Sequence, residues 1–448
     1  MKRVLTVLLI CFSLLLTSCN KKNENLHRSN ESINSKDVIN DDNSYKIFFE
    51  KQDVNIKSVD RKFLTNDYLE GLDNNPIRPI LDETEDGYFY FDEHNYIIMF
   101  YDKKSKDSII FCNKPNCSHS NPSEECTSFT FKYRGYYDGY LYTVSDDEKM
   151  VTLQEGKEFI PQSVVNYYLT RVKIDGTDKE TITKLYTVYF EKNEKGLYIP
   201  SDYIHDYTFH RGYFYHTLSS QFKGETIIFL KRCNLENHEE EVIISQKLVV
   251  KLRLISSLKG YGPHIYFIDR RYYSEDFQDN DAKLCRVYID TGVIEEINVD
   301  INIQDYFIMD KYMYYVLKPG NLLYKMDLET KESELIIELT DETYLPYLSN
   351  ITIDHDYIYI NNLNHNIDTD EDYDKECRVY DKKGNLVDVI DLDGNYIRSD
   401  KTFGVSGDKL VIAWASEKNS FAYDYYTLDK SQIGTGIHTL EKLIESAD

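Results

Sequence analysis

Three cysteines and one histidine are concentrated in a short segment of the first third of the chain. These residues are Cys112, Cys117, His119 and Cys126. They fall within fifteen positions, and Pro115 and Pro122 force turns between them. Thiolate and imidazole are ligands that suit four-coordinate zinc, and a segment rich in turns can wrap around one ion. Because four protein ligands leave no open coordination position, the spacing predicts a structural zinc site rather than a catalytic one.

Another cysteine closes the first segment of the chain. Lys2 and Arg3 precede an apolar run from Val4 to Leu16, which ends in Thr17-Ser18-Cys19. The run is too short to span a hydrocarbon core of about 30 Å. A charged start, an apolar run and small residues before a cysteine resemble a bacterial lipoprotein signal. The resemblance implies a signal peptide of residues 1–18, acylation of Cys19 with diacylglycerol and palmitate, and a lipid-anchored position on the extracytoplasmic face of the cell membrane.

Export of the chain leaves a second interpretation of the cysteine cluster open. Thiols outside the cytosol tend to oxidise. Cys112 could pair with Cys117, or Cys117 with Cys126, and one thiol would then remain. The odd number of cysteines and the presence of His119 favour the metal.

Composition divides the rest of the chain into a linker and one large domain. Residues 19–44 are polar, charged and nearly free of aromatic residues, which predicts a flexible linker that averages about 25–30 Å from end to end. Residues 45–448 are predicted to form a single β-propeller domain. The formal net charge of −25 disfavours nucleic acid and electrostatic docking to anionic membranes, so the lipid is the expected membrane contact. Neutral or cationic partners fit this charge better, and the charge would equally serve to keep a tethered protein soluble without recognising a ligand.

A recurring unit runs through the domain. Its marker is a bulky apolar residue followed by tyrosine, usually after a turn residue, and six of its seven copies end in tyrosine. The marker positions are Tyr90, Tyr142, Tyr215, Tyr266, Tyr314, Tyr359 and Val411. Their spacing of 45 to 52 residues, with one step of 73, is near that of propeller blades.

Each marker is followed by further strand signals. An alternating segment reaches a polar turn, as at Cys285 to Gly292, and a short apolar strand then completes the unit. Three or four antiparallel strands per unit indicate an all-β propeller of seven blades. We interpret Lys192 to Gly196, within the longest step, as an inserted hairpin rather than part of an eighth blade. Tyr45 to Phe49 could pair with the last blade and close the ring.

The leader, the repeats and the cysteine cluster together resemble poorly characterised β-propeller lipoproteins of Gram-positive bacteria, related in blade pattern to TolB-like propellers. The resemblance spans roughly Thr84 to Leu440. It implies a fold and a cell-surface location and carries no reaction, because propellers serve many functions.

Two functions compete on the sequence. The first is a non-catalytic binding, scaffold or sensor module for a protein, peptide or glycan. The second is an extracellular glycan hydrolase or lyase. No G-x-S-x-G elbow or Gly-rich phosphate loop occurs, so we expect the first, with no catalytic residue assigned.

Three other features are interpreted as structural. Cys233, Cys285 and Cys377 occupy equivalent strands and are expected in the core. The acidic run from His365 to Asp374 lacks the glycine and glutamate of an EF-hand and is expected to be a solvated loop. Trp414 is the single tryptophan, which argues against the repeated tryptophan motifs of quinoprotein propellers.

Overall fold

A computed structural model of the chain describes residues 81–445, apart from 93–94, 115–116, 118, 120–125, 131, 156–157, 190, 193–197, 200–201, 223–224, 248–251, 273–279, 298–302, 318–321, 340–350, 362–375, 392–402, 407 and 416–422. The signal peptide, the linker, Cys19 and the closing strand at Tyr45 to Phe49 lie outside these residues. So does the whole acidic run from His365 to Asp374, and its interpretation as a solvated loop stays a prediction.

Seven four-stranded antiparallel sheets form the blades of a β-propeller, and each sheet takes its strands in sequence order. The first four blades are β1(Asp82–Glu83), β2(Gly87–Asp92), β3(Ile97–Asp102), β4(Ser108–Ile110); β5(Lys132–Tyr137), β6(Tyr140–Glu155), β7(Glu158–Lys173), β8(Glu180–Tyr189); β11(Asp202–His210), β12(Tyr213–Phe222), β13(Glu225–Asn234), β14(Glu240–Lys247); and β15(Leu252–Tyr261), β16(His264–Tyr272), β17(Asn280–Tyr288), β18(Ile294–Ile297).

The last three blades are β19(Ile303–Met309), β20(Tyr312–Leu317), β21(Leu322–Asp327), β22(Ser333–Glu338); β23(Ile351–Ile353), β24(Tyr357–Asn361), β25(Glu376–Asp381), β26(Leu386–Asp391); and β27(Phe403–Ser406), β28(Lys409–Ala415), β29(Tyr423–Asp429), β30(Glu441–Ile444). A 3-10 turn, Lys430–Gln432, follows β29. Among the described residues, no helix has the length and apolar character needed to cross a membrane.

The marker segments form the second strand of every blade, so the prediction of seven blades is confirmed. The 73-residue step has two causes. Strands β6 and β7 are 16 residues long each, and a separate hairpin of β9(Glu191–Lys192) and β10(Tyr198–Ile199) precedes the third blade. The inserted-hairpin interpretation is therefore confirmed, and the described part of the chain holds no eighth blade.

The core lies between adjacent blades, because alternate side chains of a strand face opposite sides of its sheet. The marker tyrosines Tyr142, Tyr215, Tyr266 and Tyr359 are at most 1% exposed. The seventh blade packs on the first in the same way, and the rings of Tyr90 and Tyr425 lie 5.7 Å apart between centroids. Within the described residues, side-chain packing of this kind holds the ends of the ring together.

A polar layer repeats across blades 2, 3 and 4. An arginine on the third strand lies opposite the marker tyrosine and binds a glutamate of the fourth strand. The three sets are Tyr142-Arg171-Glu180, Tyr215-Arg232-Glu241 and Tyr266-Arg286-Glu295. Two of these arginines also reach the next blade, since Arg171 Nη1 donates to the Leu235 carbonyl at 2.7 Å and Arg232 Nη1 to the Ile289 carbonyl at 2.6 Å. The layer therefore fixes how neighbouring blades meet.

The two ends of each blade differ. In a four-stranded meander, the first–second and third–fourth turns share one end, which we call the turn end. The second–third connections and the links between blades start from the other end, which we call the loop end. Asp or Asn side chains accept backbone N–H groups where third strands reach the turn end, a local bond that favours turns. These residues are Asp102, Asn234, Asp327, Asp381 and Asp429.

The cysteines on third strands are core residues, as expected. Cys233, Cys285 and Cys377 belong to β13, β17 and β25 and are at most 4% exposed. They lie in three different blades. Their environment is that of small buried apolar side chains.

His216 gives the fold a dependence on pH. Its side chain is 1% exposed, and neither ring nitrogen has a hydrogen-bond partner among the described residues. Burial, assisted by the nearby Lys231 and Arg134 cations, lowers the pKa of His216 from 6.5 to about 3. The unfolded chain therefore takes up a proton at a pH where the folded protein does not. The contribution of neutral His216 to the free energy of unfolding is therefore fully present above pH 6.5, and it is lost as the pH falls from 6.5 towards 3.

We expect His216→Phe to remove much of this decline. At pH 5 the protonation of His216 in the unfolded chain lowers the free energy of unfolding of the wild type by up to about 2 kcal/mol. Phenylalanine is a suitable replacement because the ring of Phe214 stacks on His216. Denaturant unfolding at pH 7 and pH 5 measures the difference. The exposed His355 provides the control, because His355→Gln should leave the decline unchanged. Equal pH dependence in wild type and His216→Phe would contradict the prediction.

Candidate metal centre

The cysteine cluster lies between the first and second blades, in the connection from β4 to β5. Phe111 enters the core beside Phe89, with ring centroids 5.0 Å apart, and Cys112 follows it. At the other end of the connection, Ser128 accepts the Ile98 amide at 2.9 Å and Phe129 forms a bridge with Ile97. Both ends of the cysteine-containing segment are therefore fixed to the first blade.

The structure brings all four predicted ligands together. One ligand atom from each of Cys112, Cys117, His119 and Cys126 lies within 4.8 Å of the others. His119 Nδ1 and Cys126 Sγ are 3.7 Å apart. A tetrahedral zinc ion with bonds of about 2.0–2.3 Å requires ligand separations of about 3.5–3.8 Å. The donor set and the His119–Cys126 separation therefore suit a tetrahedral metal ion.

Hydrogen bonds to the sulfur atoms favour the charged thiolate at Cys112 but not, on balance, at Cys117. Burial raises the pKa of Cys112, but the amide of Lys114 and the hydroxyl and amide of Thr127 outweigh it and lower this pKa to about 7. The amide of His119 lowers the pKa of Cys117, whereas burial and the sulfurs of Cys126 and Cys112 raise it, and the raising effects prevail. Donation from N–H groups to sulfur is what a thiolate ligand requires.

The sulfur of the third cysteine is more enclosed. Cys126 is fully buried, and its Sγ lies 3.1 Å from Ser128 Oγ. The other three ligand residues are half-buried. His119 adopts a φ of 53°, a left-handed conformation that is uncommon outside glycine and asparagine.

The second blade contacts the cluster through the turn between β7 and β8, residues 174–179. Asn113 Nδ2 donates to the Asp175 carbonyl at 3.2 Å, and Lys179 Nζ donates to the Cys126 carbonyl at 3.1 Å. Gly176 has a φ of +76°, and a Cβ there would lie 3.3 Å from the Asn113 side chain. Burial lowers the pKa of Lys179. The cluster therefore joins the outer edge of the first blade to the second.

Sequence reasoning missed Asn113 and Lys179. Asn113 accompanies the cluster but has no metal-ligand chemistry, and Lys179 lies 53 residues after Cys126 in the chain. The repeat pattern places Lys179 in the turn between the third and fourth strands of the second blade, residues 174–179. It is the blade that follows the cluster, so this turn was a candidate for contact with it.

The other sequence-predicted features of the cluster have mixed outcomes. None of the six described cysteines is in a disulfide. The cluster could hold a metal ion, and the identity of that ion is not fixed by the donor atoms alone. Cys19, the predicted lipidation site, lies outside the described residues, so its acylation stays a prediction.

Among known proteins, the chain is similar to several solved structures. No protein-family profile matches the chain, and a search of curated proteins finds no match. Similar solved structures include dipeptidyl peptidase 4 from Porphyromonas gingivalis, with 9% identity, a TM-score of 0.46 and coverage of 85% of this chain and 55% of the peptidase. They also include a complex of KlAtg21 with the coiled-coil of AgAtg16, with 13% identity, a TM-score of 0.45 and coverage of 81% and 97%.

TolB from Acinetobacter baumannii is also among the similar structures, with 12% identity, a TM-score of 0.34 and coverage of 78% of this chain and 76% of TolB. This chain therefore spans about half the length of the peptidase and most of the length of the other two. At TM-scores below 0.5 these similarities carry no functional argument. The expected β-propeller fold with seven blades is confirmed by the sheets of the chain itself, and the resemblance to TolB-like propellers stays a prediction.

Proposed function

We propose that this protein is a lipid-anchored β-propeller on the extracytoplasmic face of a Gram-positive cell membrane, where it acts as a binding, scaffold or sensor module. The leader from Lys2 to Cys19 supports the anchor and the location. The ligand is a protein, peptide or glycan, and we favour a cationic segment of a protein or peptide for the reason that follows.

The difference between the two ends of the blades carries the binding proposal. The turn end is formed by turns of two to six residues, apart from the 11-residue β29–β30 connection, whereas five connections of 7 to 14 residues start from the loop end. These connections are residues 273–279, 340–350, 362–375, 392–402 and 416–422. Functional residues concentrate on loops that a rigid scaffold presents. Residues 362–375 contain five acidic residues and a single lysine, a composition that attracts cationic ligands.

The same proposal assigns a structural zinc ion to Cys112, Cys117, His119 and Cys126. Three thiolates and one imidazole form a complete tetrahedral set, and the hydrogen bonds to Cys112 support its thiolate form. Bound there, the ion would hold the connection between the first two blades in one conformation. The zinc ion has no catalytic role in this proposal.

Zinc analysis tests the metal assignment. Protein purified without chelator should contain one zinc ion per chain, and Cys117→Ser and Cys126→Ser should contain none. Removal of the ion should lower stability by about 3 kcal/mol, because the ligand binds only the folded state. Cys377→Ala removes a buried cysteine of the sixth blade and should keep the metal. Absence of zinc, with an intact mass lower by two hydrogen atoms, would show the disulfide instead.

Fatty-acid labelling tests the anchor. In a Gram-positive host, the wild-type protein should take up a labelled fatty acid and remain in the membrane fraction. Cys19→Ala should lose the label, because the thiol that would carry the lipid is gone. Cys11→Ala provides a matched control, since Cys11 belongs to the apolar run that cleavage removes. Labelling of Cys19→Ala would refute the lipid anchor.

Peptide binding tests the proposed role of the loop end. Fluorescence anisotropy with basic, neutral and acidic peptides should show binding of the basic peptides, weakened by salt. Conversion of Asp368, Asp370 and Asp372 to asparagine should weaken this binding about tenfold. The same loss of charge at the turn end, through amide variants of Asp290, Glu329 and Glu332, should leave it nearly unchanged. Equal effects of both variants, or turnover of a glycan panel, would contradict the binding proposal.

A further inference from the structure

The cluster of Cys112, Cys117, His119 and Cys126 would carry charge once it is loaded. Three thiolates, a neutral imidazole and a divalent ion sum to a net charge of −1. A half-buried site with a net charge is costly unless a charge of opposite sign lies close to it. The cations around the cluster therefore matter to metal binding.

Two lysines lie near the sulfur atoms. Lys114 follows Cys112 by two residues and is exposed. Lys179 is half-buried, and its ammonium group is fixed by donation to the Cys126 carbonyl. The sulfurs of both Cys126 and Cys112 interact electrostatically with this ammonium. Because solvent screens Lys114 more strongly, Lys179 is the cation placed to balance the loaded site.

Lys179 also belongs to the second blade, whereas all four ligands follow the first. It ends the turn of residues 174–179, which contacts the cluster a second time through the Asp175 carbonyl and Asn113. A metal ion that strengthens the attraction between Lys179 and the cluster would therefore also strengthen the contact between this turn and the metal-binding segment. By linkage, the same attraction would strengthen metal binding.

We propose that Lys179 is the charge-balancing and positioning residue of the metal centre, and that it couples metal loading to docking of the β7–β8 turn on the metal-binding segment. This inference rests on the metal site proposed above. Lys179 is not a ligand. It acts on the metal through its charge and through the Cys126 carbonyl.

Substitutions at one position separate charge from hydrogen bonding. Lys179→Gln keeps a donor and removes the charge, whereas Lys179→Arg keeps both. Affinity for Co²⁺ and Zn²⁺ is measured on the full-length mature chain by competition titration, with the thiolate-to-cobalt absorption bands as the check on the ligand set. We expect Lys179→Gln to bind both ions about tenfold more weakly with unchanged bands. Lys179→Arg should bind within about twofold of wild type, since it retains the charge.

Lys114→Gln is the matched control for loss of a nearby charge. Because its side chain is exposed, affinity should fall less than about twofold. The rate of amide hydrogen exchange distinguishes coupling from a merely structural role, because a merely structural lysine would not make exchange depend on the metal. Metal loading should slow exchange of the amides in residues 174–179 in wild type, and slow it much less in Lys179→Gln.

The outcomes are distinguishable. Wild-type affinity in Lys179→Gln, or an equal loss in Lys114→Gln, would overturn the role of Lys179 and leave the metal site intact. Metal-independent exchange in residues 174–179 of the wild type would overturn the coupling. Failure of the wild-type chain to bind either ion would refute the metal site itself, and this inference with it.

Discussion

The packing of each blade against its two neighbours is the constraint on which the rest of the structure depends. A four-stranded sheet exposes two faces, and both must be covered for the blade to be stable. The buried marker tyrosines fill the space between sheets, and Arg171 and Arg232 bind carbonyl groups of the following blade. The apolar contacts supply most of the stabilisation, whereas the arginines restrict how two blades can be oriented, because a guanidinium group binds only in defined geometries.

This constraint explains why the cysteine cluster follows the first blade. The first and fourth strands of that blade are short, with two residues in β1 and three in β4. The blade that follows it has two long strands, because β6 and β7 each have 16 residues. A short outer strand offers few ladder bonds and little apolar surface to its neighbour. The connection after β4 supplies further contacts. Phe111 packs in the core, and Asn113 and Cys126 form hydrogen bonds with Asp175 and Lys179 of the β7–β8 turn. A metal ion bound within this connection, as proposed, would stabilise it where sheet pairing ends.

The features that could be predicted from the sequence are those that show as a regular spacing of residues along the chain. The marker tyrosines recur because every blade needs the same buried position, and the four ligands of the cluster lie within one short segment. Lys179 could not be identified in this way, because only the packing of two blades brings it to Cys126. The same holds for His438, whose Nε2 lies 2.8 Å from Asp388 Oδ2 and fastens the last blade to β26. Strand length was also hidden, since the pattern of β6 and β7 does not show where a blade should stop.

Several cations of this acidic chain lie inside the contacts between strands and blades. Arg171, Arg232 and Arg286 lie between strands, where each binds a glutamate and two also bind a neighbouring blade. Lys430 is held in a similar way by Asp354 at 3.1 Å. Cations used inside the blade contacts are screened from ligands in solution, whereas the five acidic residues of 362–375 lie between the strands of the repeat. The use of these cations in the packing of the ring therefore leaves the net negative charge of the chain available to a cationic partner of the kind proposed.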